Sequence, residues 1–458
     1  MSSISKSNKY EMDMCNGPLL SKIMIYSIPL MLSGLLQLTF NAADIVVVGR
    51  FAGKEALAAL GPTSSLTNLF VNVFMGLSVG ANVLVARFYG AGQKKELDDM
   101  VHTAITTALV SGLILVVLGV GLASPALALM DTPSNVINQS VIYMKIYFAG
   151  MPVMMLFNFG SAILRAVGDT KRPLYYLTVA GVLNVILNLL FVIVFHMGVA
   201  GVALATVLSQ VVSAGLVIRC LVLNDGSIKL DLRKLRIVPD KLVKMIRIGV
   251  PAGLQGAMFS VSNVLIQSSV NSFGDIAMAG NTAGQNIEGF VFTAMNALHQ
   301  GAVSFSGQNY GARKFKRIAK IALICELLVI VVGVILSGVI LIFSKPLLGL
   351  YSTDPEVIQY GVNRLRIICT TYFLCGMMDV MVGILRGMGY AIAPMIVSLT
   401  GVCAFRVVWI YTIFAKFRTL EVLYISYPVT WTVTFVVQLI MFLVIYRKLG
   451  HIMNMDEN

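Results

Sequence analysis

Apolar stretches long enough to cross a lipid bilayer recur along most of the chain, from about residue 22 to residue 446. A membrane-spanning helix needs about 20 mostly apolar residues. Only 12% of the 458 residues are charged, roughly half the share in a soluble globular protein. The sequence therefore predicts an all-α polytopic membrane protein with twelve transmembrane helices, at 22–48, 57–86, 101–123, 139–164, 173–195, 199–221, 246–270, 279–301, 318–343, 357–385, 394–414 and 422–446.

The net charge of +13 is distributed as expected for membrane topology. With an even number of spans both ends lie on one side, and 25 of the 34 Lys and Arg residues fall in segments on that side. Positively charged loops stay in the cytoplasm. We therefore expect a multi-pass protein of the cytoplasmic membrane with both termini cytoplasmic, in contact with the lipid bilayer and not with nucleic acid.

The chain lacks the motifs of several other protein classes. Its six cysteines include no CxxC pair, so neither a disulfide framework nor a structural zinc site is expected. Its first 20 residues lack the apolar core of a removable signal peptide. Four scattered histidines, no HExxH and no GxSxG argue against an enzyme.

Three segments of the first half recur in the second half at an offset of 221 residues. They share glycines such as Gly53 and Gly274, and Gly168 and Gly389. The pairs are AGKEALAA (52–59) with FGDIAMAG (273–280), GANVLVARFYGAGQKK (80–95) with GAVSFSGQNYGARKFK (301–316), and ILRAVGDTKRP (163–173) with ILRGMGYAIAP (384–394). Three ungapped matches at one offset indicate a duplicated chain.

Each half holds six predicted spans, so the two halves have the same orientation in the membrane. We expect two six-helix lobes related by a pseudo-two-fold axis along the membrane normal, at 1–221 and 246–458, joined by a basic cytoplasmic connector at 222–245. Transporters of this kind bind substrate between the lobes and alternate between inward-open and outward-open states. Because no P-loop is present, active transport would use an ion gradient.

Polar residues in the first half mark a candidate ion site. Asp44 is the one acid in the first span, and an intramembrane carboxylate is a functional candidate by default. Asn184 and Asn188 lie four residues apart, on one helix face, in the apolar run LNVILNLLFV. Asp44 could take up and release a proton, or it could coordinate Na⁺ with the amide oxygens of Asn184 and Asn188. The alternative role for the asparagines is interhelical hydrogen bonding.

The loops RFYGAGQKK and QNYGARKFK, the motif ILRAVGDTKRP, and Asp44 in FNAADIVVVGRFAG resemble the multidrug and toxic compound extrusion (MATE) family, nearest its prokaryotic DinF-like branch. The resemblance covers almost the whole chain. It implies two six-helix lobes, and export of drugs or organic cations in exchange for H⁺ or Na⁺, without another cofactor. Position 188 is Asn, where that branch often has Asp.

The same resemblance assigns further residues. It implies a coupling site in the first lobe that adds Thr206, and Asn158 or Tyr143, to Asp44, Asn184 and Asn188, and it implies a bend of the first helix at Pro29. At the offset of 221, the positions of Asp44, Asn184, Asn188 and Thr206 correspond to Leu265, Phe405, Trp409 and Tyr427. The carboxylate and both amides are therefore expected in one half only.

The second half offers candidates for substrate binding. Glu288 is expected in the eighth span with Gln285 on the same side, and it either attracts a cationic substrate or pairs with a basic group. Asp379 lies in the tenth span. Arg406, in the eleventh, is expected to be a structural partner of Asp379 or Glu288.

The sequence favours an antiporter that exports small amphiphilic or cationic compounds and acts as a monomer. The alternative is a flippase for a lipid-linked sugar or cell-wall precursor. The diphosphates of such substrates call for several mid-span Lys or Arg residues.

Overall fold

A computed structural model describes residues 10–129 and 134–456, and in that part of the chain all regular structure is helical. The first half contains α1 (Leu19–Val47), α2 (Lys54–Gly90), α3 (Lys94–Leu129), α4 (Ser134–Ala149), α5 (Met151–Ala166), α6 (Lys171–Leu189) and α7 (Gly198–Val222). The second half contains α8 (Pro239–Asn271), α9 (Asp275–Gly311), α10 (Phe315–Ile342), α11 (Ser344–Gly349), α12 (Pro355–Cys369), α13 (Tyr372–Gly387), α14 (Ile392–Ser398), α15 (Phe405–Trp409) and α16 (Leu420–Asp456).

Short π-helices extend several of these helices. They lie at Val48–Ala52, Leu190–Val194, Leu399–Ala404 and Ile410–Phe414, and a 3₁₀ turn lies at Leu232–Lys234. A π-helical turn commonly accommodates one extra residue within a helix and is frequent at functional sites. The first two π-helices directly follow α1 and α6, which carry Asp44 and the two asparagines.

The described helices match the twelve predicted spans. Within the described residues, nine helices are long and apolar enough to cross a membrane, and two further pairs, α4 with α5 and α12 with α13, pass the same test together with a bend of 48° each. The remaining predicted span lies in α9, which is 37 residues long but contains Asn281, Gln285 and Glu288. The all-helical prediction is confirmed.

The two halves repeat the same local backbone geometry. Gly53 before α2 has φ 92° and ψ 171°, and Gly274 before α9 has φ 94° and ψ 173°. The helices that follow have the same length of 37 residues. Gly168 and Gly389 also share a positive φ, of 93° and 92°. Left-handed backbone favours glycine, which explains why these glycines occur in both copies of the repeat.

The helices form two compact units. The first unit consists of the segment ending at Asp13 and of Leu32–Leu254, and the second of Met14–Met31 and the chain from Gln255 on. The boundary within α1 falls two residues after Pro29, a proline inside a helix that is otherwise continuous. Proline removes a backbone hydrogen bond and can kink a helix. The bend at Pro29 that the family resemblance implies stays a prediction.

The basic connector is held against α3 within the first unit. The Asp231 amide donates a hydrogen bond to Nε2 of His102 over 3.1 Å, and the Val238 amide donates to Oγ1 of Thr103, also over 3.1 Å. Arg236 pairs with Asp99. Part of the positive charge of the connector is therefore neutralised by α3. The predicted division of the chain at 222–245 stays a prediction.

Candidate ion-coupling site

The side chains of Asp44, Asn184, Asn188 and Thr206 form one hydrogen-bonded chain in the first unit. Nδ2 of Asn188 donates to Oδ1 of Asp44 and, over 3.2 Å, to Oδ1 of Asn184. Nδ2 of Asn184 lies 3.4 Å from Oγ1 of Thr206, and the Thr206 hydroxyl donates to the carbonyl oxygen of Val202 over 3.0 Å. These hydrogen bonds link α1, α6 and α7 near the C-terminal ends of α1 and α6.

Burial makes the chain sensitive to the charge on Asp44. Asn188 is fully buried and Asn184 is 6% exposed, whereas Asp44 is partly exposed. The Asn188 amide uses both of its N–H groups as donors, and its carbonyl oxygen has no hydrogen-bond partner among the described residues. An unpartnered buried oxygen costs about 1–3 kcal/mol. The cluster therefore contains a free acceptor beside a carboxylate.

Apolar side chains pack beside the cluster. Buried valines and alanine from the end of α1, its π-helix, α2, the second π-helix and α7 form one group: Val47, Val48, Ala56, Val192, Val199 and Val202. Tyr143 packs against this group, and its hydroxyl is close enough to Asp44 for an electrostatic interaction. The ring of Tyr143 stacks on Tyr147, with the ring centroids 6.0 Å apart. The geometry thus brings Tyr143 next to the predicted site.

A surface pocket reaches the same apolar group. It is lined by residues of the first π-helix, α2, α4 and the turn before α7, among them Ala56, Gln139, His196 and Val199. Ala56 and Val199 belong both to the pocket and to the apolar group. The buried Oε1 of Gln139 has no hydrogen-bond partner among the described residues. The pocket therefore borders the apolar group and not the hydrogen-bonded side chains themselves.

Asn158 is not part of the hydrogen-bonded chain. Its Nδ2 donates to the carbonyl oxygen of Met154, one turn earlier in α5, over 2.7 Å. The side chain is therefore engaged within its own helix. A role for Asn158 in ion coupling stays a prediction.

Glu288 forms a buried ion pair with Arg364 in the second unit. The expected pairing of Glu288 with Arg406 is wrong. Nε and Nη2 of Arg364 donate to the two Glu288 oxygens over 2.9 and 2.8 Å. Nη1 of Arg364 donates to Oδ1 of Asn281 over 2.7 Å, and the Tyr424 hydroxyl donates to the same oxygen over 3.0 Å. This network joins α9, α12 and α16, and it occupies the Glu288 carboxylate.

The sequence analysis missed Arg364, although a signal existed. Arg364 lies within the predicted span 357–385, and a charged residue at that depth needs a partner. The other second-half candidates are not brought to Glu288. Gln285 is exposed on the same helix, and the backbone oxygen of Asp379 lies 2.6 Å from Nδ1 of His299.

The offset of 221 residues does not hold throughout the second half. It would place Phe405 in the position of Asn184, but Phe405 is 36% exposed whereas Asn184 is buried. Arg406 is 4% exposed. The π-helix Leu399–Ala404, which has no counterpart at the corresponding place in α6, accommodates the extra residue. The position that corresponds to Asn184 is therefore that of Arg406, at an offset of 222.

A family model shows where this architecture occurs in other proteins. The MatE model matches residues 29–190 and, again, residues 251–412. The two matches cover most of the chain and follow its duplication. The chain belongs to the MATE family. The resemblance to this family inferred from the repeated motifs is confirmed, and the placement nearest the DinF-like branch stays a prediction.

Similar proteins agree with this family. The chain is 28% identical to "Probable multidrug resistance protein YoeA" of Bacillus subtilis over 90% of each chain. It is 25% identical to "Probable multidrug resistance protein NorM" of Thermotoga maritima over 83% of this chain and 82% of the relative. The structure of an outward-facing multidrug resistance MATE family transporter superposes with a TM-score of 0.91 at 22% identity, covering 98% of this chain and 100% of the other.

The comparisons confirm the twelve-helix, two-lobe fold of a MATE transporter. With its apolar spans, the chain is a multi-pass membrane transporter of a family whose members handle small organic compounds. Its relatives are transporters.

Proposed function

We propose that this MATE transporter exports amphiphilic or cationic compounds by alternating access, in exchange for a cation that binds at Asp44. The observation that carries the proposal is the hydrogen-bonded chain from Thr206 through Asn184 and Asn188 to Asp44, with its unpartnered Asn188 oxygen. We place the protein in the cytoplasmic membrane with both termini in the cytoplasm, acting as a monomer.

The cluster gives the arriving cation a structural effect. With Asp44 ionised, the carboxylate holds the Asn188 amide by a charge-assisted hydrogen bond, which is stronger than a neutral one. Binding of a cation at Asp44 cancels that charge. The Asn188 amide is then free to rotate and to turn its carbonyl oxygen toward the new positive centre. Rotation breaks the bonds from the Asn188 amide to Asp44 and to Asn184, and thereby alters the link between α1 and α6.

The donor set fits either H⁺ or Na⁺. Carboxylate, amide and hydroxyl oxygens are the ligands that hard cations prefer, and Asp44, Asn188 and Thr206 supply one of each. Because Asp44 is the only carboxylate in the chain of hydrogen bonds and Asn188 cannot ionise, we propose H⁺ as the coupling ion and Na⁺ as the alternative. The two are separated by imposing one gradient at a time.

The test is efflux of a cationic dye from proteoliposomes. An imposed pH gradient should drive efflux by the wild-type protein, and Asp44→Asn should abolish it while the purified variant remains monodisperse. Asp275→Asn is the matched control, because Asp275 is an exposed acid at the start of α9; it should transport as the wild type does. Transport by Asp44→Asn at the wild-type rate would refute the assignment of the coupling site.

A further inference from the structure

Arg406 is a buried cation in the second unit whose guanidinium is only partly satisfied. The side chain is 4% exposed. Nη1 makes one long hydrogen bond, of 3.4 Å, to Oδ1 of Asn263, and the guanidinium carbon lies 4.2 Å from the centroid of the Tyr427 ring. The buried Nε has no hydrogen-bond partner among the described residues. The Nε–H group is therefore a buried donor without an acceptor among the described residues.

No carboxylate neutralises Arg406 in the described part of the chain. The ion pairs there do not include Arg406, and Glu288, its expected partner, is held by both nitrogens of the Arg364 fork. The Ser262 hydroxyl, next in sequence to Asn263, is buried and interacts with the thiol of Cys403, a weak hydrogen-bond partner. The Nε–H group of Arg406 therefore lacks an acceptor, and the Ser262 hydroxyl has only a weak one.

The residues around Arg406 offset little of the free-energy cost of burying its guanidinium charge. Moving a guanidinium out of water costs several kcal/mol unless it is paired. A contact between a cation and an aromatic face returns about 0.5–2 kcal/mol. Chains retain charged residues within membrane spans mainly where they serve transport or pair with a partner. Since Arg406 has no acidic partner here, an anionic ligand accounts for its burial.

The duplication places Arg406 in the position of a residue of the ion-coupling site. Arg406 corresponds to Asn184 at the offset of 222, and it contacts Tyr427, one residue before Pro428, which corresponds to Thr206 at the same offset. At either offset the counterpart of Asp44 is apolar, Leu265 or Ile266. The first repeat thus has a carboxylate among these positions, and the second repeat has a guanidinium and no carboxylate.

We propose that Arg406, with Asn263 and Ser262, forms a subsite for the oxyanion of an amphiphilic substrate, a carboxylate or a phosphate ester. The guanidinium fork binds such groups through two parallel N–H bonds. This inference rests on the proposed export function and narrows its substrates to amphiphiles that carry an anionic group, including zwitterions. Asp44 binds the coupling cation and Arg406 binds the substrate anion.

The test measures binding without any ion gradient, so that it is independent of the coupling mechanism. A fluorescent xanthene dye is titrated into purified protein in neutral detergent, once as the free carboxylic acid and once as its methyl ester. Arg406→Gln should weaken binding of the acid by about 10- to 100-fold, as expected for loss of a charged hydrogen bond. Binding of the ester should change by less than about 3-fold.

Three further variants act as controls. Arg366→Gln removes an exposed positive charge from the same unit and should leave the affinities for both dyes unchanged. Arg406→Lys keeps the charge and loses the fork, so it should give an intermediate affinity for the acid even if Arg406→Gln does not fold. Asp275→Asn removes an exposed acid at the start of α9 and should bind the acid as the wild type does.

The source of the oxyanion is decided by repeating the titration in nanodiscs. If phosphatidylglycerol, compared with a phosphate-free galactolipid, weakens binding of the acid dye to the wild type but not binding of the ester, the site is occupied by a lipid phosphate. If the two lipids give equal affinities, the site is reserved for the amphiphile. Equal losses for acid and ester in the Arg406 variants, or no loss for either, would overturn the proposal.

Discussion

The ion pair of Glu288 and Arg364 gives a quantitative prediction about stability. Both side chains are buried, at 4% and 2% exposure, and two bonds of 2.8 and 2.9 Å join them. Removing one partner leaves the other charge buried and uncompensated, which costs about 3–5 kcal/mol. Replacing both by apolar residues of similar size is commonly neutral or stabilising by about 1–4 kcal/mol. Glu288→Leu and Arg364→Met should therefore each destabilise the protein, and the double variant should not.

The assay is thermal unfolding of the four proteins in one detergent, followed by tryptophan fluorescence and by loss of the monodisperse peak. We expect each single variant to unfold several degrees below the wild type and the double variant to unfold within a few degrees of it. The Asn281 oxygen would still accept the Tyr424 hydroxyl in the double variant. If the double variant is destabilised by the sum of the single effects, the pair is not the coupled unit described above.

Three other substitutions test separate parts of the account. Asn188→Asp replaces the donor to Asp44 by a second carboxylate, so a proton or cation must enter between them; dye efflux should shift to higher pH or become dependent on Na⁺, and an unchanged pH and Na⁺ profile would contradict the assigned geometry. The Met12 amide donates a hydrogen bond to the carbonyl oxygen of Val167 over 3.0 Å, and burial raises the pKa of the neighbouring Glu11. The charged form of Glu11 therefore destabilises this contact as the pH rises through that pKa. Glu11→Gln should slow hydrogen exchange of the Met12 amide at pH 8 and not at pH 4, and equal slowing at both pH values would show that the charge of Glu11 is not the cause. Both carboxylate oxygens of Glu326 are buried without a hydrogen-bond partner in the described part of the chain, so Glu326→Leu should raise stability by about 1–3 kcal/mol in the same thermal assay, and a lower midpoint would indicate a partner or a role.

The sequence predicted the parts of this fold that depend on local patterns. Long apolar runs specify spans because crossing the bilayer as a helix takes about 20 consecutive, mostly apolar residues. The repeated glycines specify the same left-handed backbone turns in both halves. Grouping Asp44 with Asn184, Asn188 and Thr206 needed the family resemblance as well. Hydrogen bonds join these four side chains in the structure.

The errors concern contacts between distant residues and one helical irregularity. Arg364 and Glu288 are 76 residues apart in sequence, so their pairing depends on how α9 and α12 pack. The extra residue in the π-helix Leu399–Ala404 shifts the register of the second repeat without breaking its apolar pattern. That shift concealed the correspondence between Arg406 and Asn184, on which the charge difference between the repeats depends.

Ion movement driven by the substrate tests the central claim most directly. Proteoliposomes are loaded with a pH-sensitive or a Na⁺-sensitive dye, and a substrate gradient is imposed without any ion gradient. We predict that substrate flux through the wild-type protein drives H⁺, or alternatively Na⁺, in the opposite direction, and that Asp44→Asn drives neither ion. Substrate flux without countermovement of either ion, or countermovement that persists in Asp44→Asn, would contradict cation exchange at this site.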